Sequence, residues 1–383
     1  MRTISVCSII LLLFLSACGS SAEKAARLTE TPTVSPAIPS ASTIEPSTPT
    51  IVPTLVVPAI VLSGHTERVT QLAWNPDGTL LASASDSPTD NAIRLWNPNG
   101  QLVHVLKGHT GSILSLAWSP NGKLLASGSS DQTVRLWSSN GKLAKVLNTG
   151  QGNVWAVTWS PDGTIFATGS IVGFLNPTVQ LWKPDGTLIA TMSTKYSGGK
   201  FYNLLWSPDG KLLLGGATDY AVWRVDGTEV AYLPGCEHCT PAWGAAWSPD
   251  GSKFAIGNEN GDLEIYDRNG RLADAYQSND DVNAIAWSPD GRFLAAGRDI
   301  WKPDGTRLTA ISGRVNSVAW SAGGSYLAVA ADQLITIVRA ADGAHAAVLH
   351  GHVGTINRVA WSPAGLILAS ASDDETIRLW RLP

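Results

Sequence analysis

Short apolar runs alternate with polar turns along most of the chain, most clearly in GHTGSILSLAWSPNGKLLASGSSDQTVRLW at residues 108–137. Two apolar runs, ILSLAW and KLLASGS, flank a Ser-Pro-Asn-Gly turn, and a third run, TVRLW, follows a polar turn. Asn-Gly favours a hairpin because both positions tolerate a positive φ. The pattern therefore predicts three consecutive antiparallel strands in this segment.

Seven other segments of the chain are variations on this arrangement. The tryptophan that ends the first run recurs at intervals of 44, 41, 47, 41, 40, 33 and 41 residues, as Trp74, Trp118, Trp159, Trp206, Trp247, Trp287, Trp320 and Trp361. A period near forty residues is typical of stacked or radial repeats. The sequence therefore predicts eight structural units.

A second turn, Asn-Gly or Asp-Gly, closes each of the first seven units and precedes a fourth apolar run, such as LVHVL from Leu102. Each unit is therefore expected to be a four-stranded antiparallel meander. The eighth unit stops at Trp380 after its third strand, whereas an unmatched apolar strand lies before unit one, near Val56 to Leu62. We expect this N-terminal strand to complete the last sheet and to close a ring of eight.

Two motifs give the repeats a family resemblance. Arg-Leu-Trp ends a third strand in three units, and a Gly-His pair precedes three of the first strands: Gly64-His65, Gly108-His109 and Gly351-His352. These motifs resemble the WD-repeat family over residues 55–383. The resemblance implies an all-β fold, an eight-bladed β-propeller of four-stranded antiparallel blades whose N-terminal strand closes the last blade.

The resemblance also implies a buried hydrogen-bonded network within the blades that keep the motif. In the family it joins the Gly-His histidine, a Ser or Thr of the second strand, an Asp of the next turn and the third-strand Trp. By position the members are His109, Ser127, Asp131 and Trp137 in blade two, and His352, Ser370, Asp374 and Trp380 in blade eight. We interpret them as structural, because buried polar groups must find partners.

The middle units depart from the motif. Gly-His is missing from units three to seven, so we expect these blades to be less firmly pinned. Unit six has GRDIWKPDG where other units have a full third strand, and only 33 residues separate its tryptophan from the next. The outer part of blade six is therefore expected to be short.

The first residues predict export and lipid attachment. Residues 1–18 read MRTISVCSIILLLFLSAC, with one arginine, a short apolar core and Leu-Ser-Ala before the cysteine. The core is shorter than the roughly twenty residues that a membrane-spanning helix needs, which favours a cleaved secretory signal over residues 1–17. Leu-Ser-Ala-Cys resembles the bacterial lipoprotein cleavage box, which implies a lipid-modified Cys18 on the cell membrane or outer membrane. A plain secreted protein is the alternative.

Residues 18–54 are dominated by Ser, Thr, Pro and Ala, with few large apolar side chains. Such a composition does not bury enough apolar surface to offset the entropy lost on folding. We therefore expect a disordered tether between the lipid anchor and a propeller at residues 55–383. At up to about 3 Å per residue, the tether holds the propeller up to roughly 100 Å from the bilayer.

The charge balance disfavours nucleic acid as a partner. Removal of residues 1–17, which include Arg2, leaves 26 Lys and Arg against 31 Asp and Glu. No basic face stands out, although affinity for nucleic acid depends on neutralising phosphates. An extracytoplasmic location points the same way.

Three aromatic residues share one register, four residues before the first-strand tryptophans of blades three, four and five: Trp155, Tyr202 and Trp243. Later blades carry asparagine at this register: Asn283, Asn316 and Asn357. The resemblance implies that strand starts near the mouth of the central channel bind protein partners. Aromatic side chains are favoured binding anchors. The alternative is that these rings only fill gaps between blades.

Cys236-Glu237-His238-Cys239 lies in the loop that enters blade five. Outside the cytoplasm a local disulfide between Cys236 and Cys239 is the favoured interpretation. Zinc binding by two thiolates and His238 lacks an obvious fourth ligand. Covalent haem attachment needs a histidine directly after the second cysteine, where Thr240 stands. We therefore expect no metal and no cofactor.

No group of residues predicts catalysis, because a nucleophile with its base, a carboxylate pair or a metal cluster does not emerge from the sequence. Asp86, Asp90 and Asn91 in the insert DSPTDNA offer oxygen ligands for calcium, but such turns are more often only solvated. We expect a non-enzymatic scaffold for protein–protein interaction. The alternatives are an envelope assembly factor, a carbohydrate- or cell-wall-binding module and, less favoured, a propeller hydrolase.

Overall fold

The computed structural model describes residues 59–382 apart from 151, 173–174, 194–200, 202, 217–218, 235–243, 279 and 366. Within these residues, thirty-two strands form eight antiparallel sheets of four strands each. The predicted all-β fold with eight four-stranded blades is confirmed. The anchor at Cys18, the predicted tether and the Cys236/Cys239 pair lie outside the described residues.

The strands of each blade follow one another in the chain, with the first strand of every blade at the central channel. Blades one to four consist of β2 (Val69–Trp74), β3 (Leu81–Ser85), β4 (Ile93–Trp96) and β5 (Leu102–Leu106); β6 (Ile113–Trp118), β7 (Leu124–Ser129), β8 (Thr133–Ser138) and β9 (Leu143–Asn148); β10 (Asn153–Trp159), β11 (Phe166–Val172), β12 (Leu175–Trp182) and β13 (Leu188–Ser193); and β14 (Asn203–Trp206), β15 (Leu212–Gly216), β16 (Tyr220–Arg224) and β17 (Glu229–Leu233).

Blades five to seven have the same organisation, and blade eight takes its fourth strand from the N-terminal side. The strands are β18 (Gly244–Trp247), β19 (Lys253–Gly257), β20 (Asp262–Asp267) and β21 (Leu272–Gln277); β22 (Ile285–Trp287), β23 (Leu294–Ala296), β24 (Asp299–Trp301) and β25 (Arg307–Ala310); β26 (Val315–Trp320), β27 (Tyr326–Ala331), β28 (Leu334–Arg339) and β29 (His345–Leu349); and β30 (Ile356–Trp361), β31 (Ile367–Ser372), β32 (Ile377–Arg381) and β1 (Ala59–Leu62).

Blade eight is closed by β1, as the sequence predicted. The strand β1 pairs antiparallel with β32, with Ala59 opposite Trp380 and Leu62 opposite Ile377. The first strands of neighbouring blades contact one another around the whole ring, including β30 with β2. Residues from opposite ends of the sequence therefore share one sheet, and the ring is complete.

The apolar core lies between adjacent blades. Leu62 and Leu379 of blade eight, for example, pack with Val69 and Leu72 of blade one. Every residue of the second strand β3 is buried, whereas five of the six residues of the outer strand β9 are exposed. A second strand is covered by blades on both of its faces, which explains why small and apolar residues fill it.

Blade six keeps all four strands but in reduced form. Its third strand, β24, has three residues, in line with the short segment GRDIWKPDG, and β22 and β23 are equally short. Ala296 pairs directly with Asp299, so only two residues turn the chain between β23 and β24. The first of them, Gly297, has a φ of 55°, which glycine adopts without strain. The shortening therefore affects the inner strands as well as the third strand.

We predict that Leu62→Ala weakens the ring at its closure. Leu62 is 1% exposed, and its removal leaves a cavity between blades eight and one. The expected loss in the free energy of unfolding is about 2–5 kcal/mol, to be measured by urea denaturation. Val61→Ala on the same strand is the control, because Val61 is 45% exposed. Equal losses for both variants would contradict the closure described above.

Candidate functional site

The first-strand tryptophans connect each blade to the preceding one. The indole Nε1 of Trp118 donates a hydrogen bond to the carbonyl of Ala73 at 3.1 Å, and that of Trp74 to the carbonyl of Ala360 at 3.1 Å. Five more tryptophans make the equivalent bond: Trp159, Trp206, Trp247, Trp320 and Trp361. These bonds hold neighbouring first strands at a repeating distance around the channel. The sequence showed the tryptophans but not this role.

The structure joins the four predicted network residues in blade two. His109 Nδ1 lies 2.8 Å from Asp131 Oδ2, and His109 Nε2 lies 2.8 Å from Ser127 Oγ. Trp137 Nε1 donates to Ser127 Oγ at 2.9 Å. Because the carboxylate only accepts, we assign the imidazole proton to Nδ1, so that the serine hydroxyl donates to Nε2. The network connects the chain before the first strand to the second and third strands.

Blade eight repeats this geometry with His352, Ser370, Asp374 and Trp380, at distances of 2.8, 2.8 and 2.9 Å. Burial lowers the pKa of His352, which keeps its ring neutral at neutral pH. Burial also opposes ionisation of Asp374, but hydrogen bonds from Thr376 and His352 outweigh it and lower the pKa of this carboxyl to about 2.

The glycine of Gly-His has a steric role in the same network. Gly108 has a φ of 156°, and a Cβ at this position would lie 2.5 Å from Arg135 Nη1 and 3.3 Å from the ring of Trp137. Glycine therefore allows the third-strand arginine and tryptophan to pack against the backbone that precedes the first strand.

Blade one contains a third complete network that the sequence analysis missed. His65 Nδ1 lies 2.7 Å from Asp90 Oδ2, while Ser83 Oγ lies 2.8 Å from His65 Nε2 and accepts from Trp96 Nε1 at 2.9 Å. The insert DSPTDNA separates Asp90 from Ser83 by more residues than in the other blades. Counting back from the arginine finds it, because Asp90 stands four residues before Arg94, as Asp131 does before Arg135.

This geometry disfavours the calcium interpretation of the insert. Asp90 is buried and accepts from Arg94 Nη1 at 2.8 Å in addition to its bond with His65. Asp86 receives two hydrogen bonds of 2.8 Å from the guanidinium of Arg68. Both carboxylates therefore already have cationic or imidazole partners. Among the residues that the structure describes, no group of three or more His, Cys, Asp or Glu is placed to hold a metal ion.

The middle blades replace the network in different ways. Thr168 in blade three still accepts from Trp182 Nε1, at 3.1 Å. The register of the network serine carries no hydroxyl in blades four to seven: Gly215, Ile256, Ala296 and Val329. In blade seven, apolar packing of Val329 and Val338 takes the place of both the hydroxyl and the indole. Weaker pinning of these blades stays a prediction.

A cavity of about 800 Å³ occupies the central channel and is lined by the first strands of all eight blades. The register four residues before each tryptophan forms a β-bulge in five blades: Thr70, Leu114, Trp155, Asn316 and Asn357. These bulges place structurally equivalent side chains around one level of the channel. Of the three predicted aromatic anchors, Trp155 is described, whereas Tyr202 and Trp243 lie outside the described residues.

Trp155 is half-buried and lines the cavity. It also packs against the apolar cluster between blades three and four, which includes Phe201 and Leu204. The structure therefore gives the ring both a packing contact and a surface toward the channel.

The asparagines at the same register serve a different purpose. Asn316 Nδ2 donates to the carbonyl of Ile356 at 3.2 Å, and Asn357 Nδ2 donates to the carbonyl of Val69 at 3.0 Å. Each bond reaches the following blade, so these amides help to join the blades. Asn283 Oδ1 is buried and accepts no hydrogen bond from the described residues.

The comparisons with known proteins agree with this architecture. A family model described as WD domain, G-beta repeat, matches residues 57–97, 100–138, 141–183, 271–306, 301–338 and 343–381. Among solved structures, the computationally designed Ika8 protein is similar, with a TM-score of 0.70 and 21% sequence identity over 86% of this chain and 99% of that chain. At this identity the likeness shows the fold alone. No curated protein sequence matches, and the described residues contain no helix long and apolar enough to cross a membrane.

We predict that Ser370→Ala destabilises the protein, because it leaves the indole of Trp380 and the imidazole of His352 without their shared partner. The expected cost is roughly 1–3 kcal/mol for each buried polar atom left unpaired, measured as the change in the free energy of unfolding. Ser139→Ala, at a partly exposed hairpin serine, is the control and should change this value by less than about 0.5 kcal/mol. A loss no larger than that of the control would show that the network does not stabilise blade eight.

Proposed function

The chain belongs to the WD40 repeat family, and from this premise we propose that it is a protein-interaction scaffold, tethered outside the cytoplasm, that binds its partner at the channel mouth. Propellers of this family commonly bind protein partners. The observation that carries the proposal is the position of Trp155, whose half-buried ring lines the channel from a β-bulge.

The position four residues before each first-strand tryptophan, which we call the bulge register, explains why Trp155 is suited to binding. At this register, Asn316 and Asn357 bond to the backbone of the next blade, whereas Trp155 presents a large ring to the channel. A tryptophan supplies much contact area for little loss of rotamer freedom, and its packing against blade four holds the ring in place. Trp155 thus combines a fixed position with a surface that a partner can cover.

A non-enzymatic role is supported by the way the acidic and imidazole groups are used. The three buried histidines of the Gly-His pairs each bond to an aspartate and a serine of their own blade: His65, His109 and His352. Many other aspartates accept hydrogen bonds from the backbone of their own hairpin turns, as Asp162 does from Thr164 N. These groups stabilise turns and blades.

A carbohydrate- or cell-wall-binding module is the second candidate. An indole beside several amides is a suitable lining for a sugar, and Trp155 shares the cavity with Gln71, Asn203 and Asn283. We favour the protein partner because the family premise supports it directly. The envelope assembly factor is a special case of the scaffold.

The proposal of a lipid tether is based on the N-terminal sequence. Residues 1–17 have the features of a cleaved signal, and Cys18 follows Leu-Ser-Ala as in a lipoprotein cleavage box.

We predict that Cys18→Ser moves the protein from the membrane fraction to the soluble extracytoplasmic fraction, as measured by fractionation and immunoblotting. Cys7→Ser, within the signal, is the matched control and should leave the protein in the membrane fraction. Membrane retention of the Cys18 variant would exclude lipid anchoring at this residue.

We predict that Trp155→Leu lowers capture of the native partner about tenfold or more in a crosslinking pulldown from native membranes. The substitution keeps an apolar contact with blade four and introduces the residue type that blade two already has at this register, Leu114. Leu114→Ala is the control, and thermal unfolding of both variants verifies the fold. Undiminished capture by folded Trp155→Leu would remove the aromatic anchor from the proposal.

A further inference from the structure

The residues one position further along each first strand form a second level of the channel, and their side chains have no role in the proposed function. Three residues before each first-strand tryptophan, the side chains line the cavity in all eight blades: Gln71, Ser115, Ala156, Asn203, Gly244, Ala284, Ser317 and Arg358. Only one of these eight residues is charged. Because blades repeat around an axis, residues at equivalent positions face one another across the channel.

Arg358 lies on β30, and its side chain is exposed to the open space of the channel. The surrounding blades partly desolvate the guanidinium and so lower its pKa, yet an arginine stays protonated in proteins. Several other arginines have a carboxylate partner, as Arg94 has in Asp90. Among the described residues, no carboxylate forms an ion pair with Arg358. Arg358 therefore brings a positive charge to this level of the channel, where no described residue carries a negative charge; Asp86 and Arg314 line the same cavity outside this level.

Neutral donors stand on both sides of this charge. Ser317 in blade seven and Gln71 in blade one are the neighbours of Arg358 at this level, and Ser115 follows in blade two. Ser317 Oγ accepts from the backbone N–H of Val359 at 3.2 Å, and Ser115 Oγ accepts from that of Val157 at 3.1 Å. Each hydroxyl proton thus remains free to donate. We call these four residues, Ser317, Arg358, Gln71 and Ser115, the polar arc.

The opposite side of the same level leaves room for a ligand. Ala156, Gly244 and Ala284 carry small side chains or none, so they leave open space that faces the polar arc. The fourth residue on this side, Asn203, donates a hydrogen bond from its amide to the hydroxyl of Tyr220 at 2.7 Å. The cavity of about 800 Å³ lies within the range of ligand sites in proteins, about 300–1,000 Å³.

We propose that the polar arc is a binding site for a carboxylate group inside the channel. Arg358 is the only charged residue at this level, and one guanidinium balances one negative charge, whereas a phosphate dianion would leave net negative charge there. A neutral ligand would leave the guanidinium without a counter-charge. The carboxylate belongs either to a free small acid or to an acidic side chain of a bound protein, and the site does not depend on which of the two provides it.

Calorimetric titration of the full chain tests the proposal. Propionate should bind and its neutral isostere propionamide should not, and Arg358→Gln should lower the affinity for propionate at least about tenfold. Arg314→Gln is the matched control, because Arg314 lines the same cavity outside the polar arc; its effect should stay below about threefold. Equal binding of acid and amide, no binding of either, tighter binding of inorganic phosphate, or an unchanged affinity in Arg358→Gln would each overturn the proposal.

A capped Gly-Asp-Gly peptide distinguishes the two sources of the carboxylate. Tighter binding of this peptide than of propionate identifies an acidic side chain of a protein, and weaker or equal binding identifies a free small acid. Both results require that the Gly-Asn-Gly analogue does not bind. Because propionate binding does not involve Trp155 contacts with a partner, failure of the scaffold proposal leaves this result unaffected.

The stability of the unliganded protein gives an independent readout. Arg358 is exposed to the channel and forms no ion pair with a described residue, so Arg358→Gln should leave the Tm of the free protein nearly unchanged while it removes propionate binding. A lowered Tm would show that the blades need Arg358 for their structure, and would overturn its assignment to ligand binding.

Discussion

The hydrogen bonds from first-strand tryptophans to the carbonyls of the preceding blade set the spacing on which the ring depends. A single meander exposes two faces and buries little surface alone, so stability in a repeat protein arises at the contacts between neighbours. Each tryptophan both covers the contact and fixes its distance, as Trp118 does against Ala73. In shortened blade six, the buried indole nitrogen of Trp287 makes no such bond within the described residues.

The complete networks lie in the part of the ring where the two ends of the propeller meet. They occupy blades eight, one and two, which are consecutive in the ring. Blade eight is also the blade that β1 closes, and its fourth strand is joined to the other three by hydrogen bonds rather than by a hairpin turn. Fully paired histidine, aspartate, serine and tryptophan groups make this sector rigid, because unpaired polar groups there would be costly. Blade seven, which adjoins this sector, has an apolar replacement, Val329, at the register of the network serine.

Positions that are alike in the blades form the strands and the core, and positions that differ between blades determine which side chains line the channel. The bulge register contains Trp155 in one blade and Asn357 in another, and the next level contains Arg358 among small and neutral residues. All three side chains line the channel, although Trp155 also packs against blade four and Asn357 also bonds to blade one. The groups that line the channel therefore differ from blade to blade within one repeated fold.

The sequence by itself determined the number and order of the strands and the use of an N-terminal strand for closure, because turns and apolar alternation are local signals. It also located the networks of blades two and eight, whose spacing is regular. The sequence did not identify Asp90 as a network residue, because an insert changes its distance from Ser83 along the chain. Only the folded structure shows that it contacts His65. The position of Arg358 in the channel was likewise decided by tertiary structure, since the channel is formed by first strands that lie far apart in the sequence and converge on one axis.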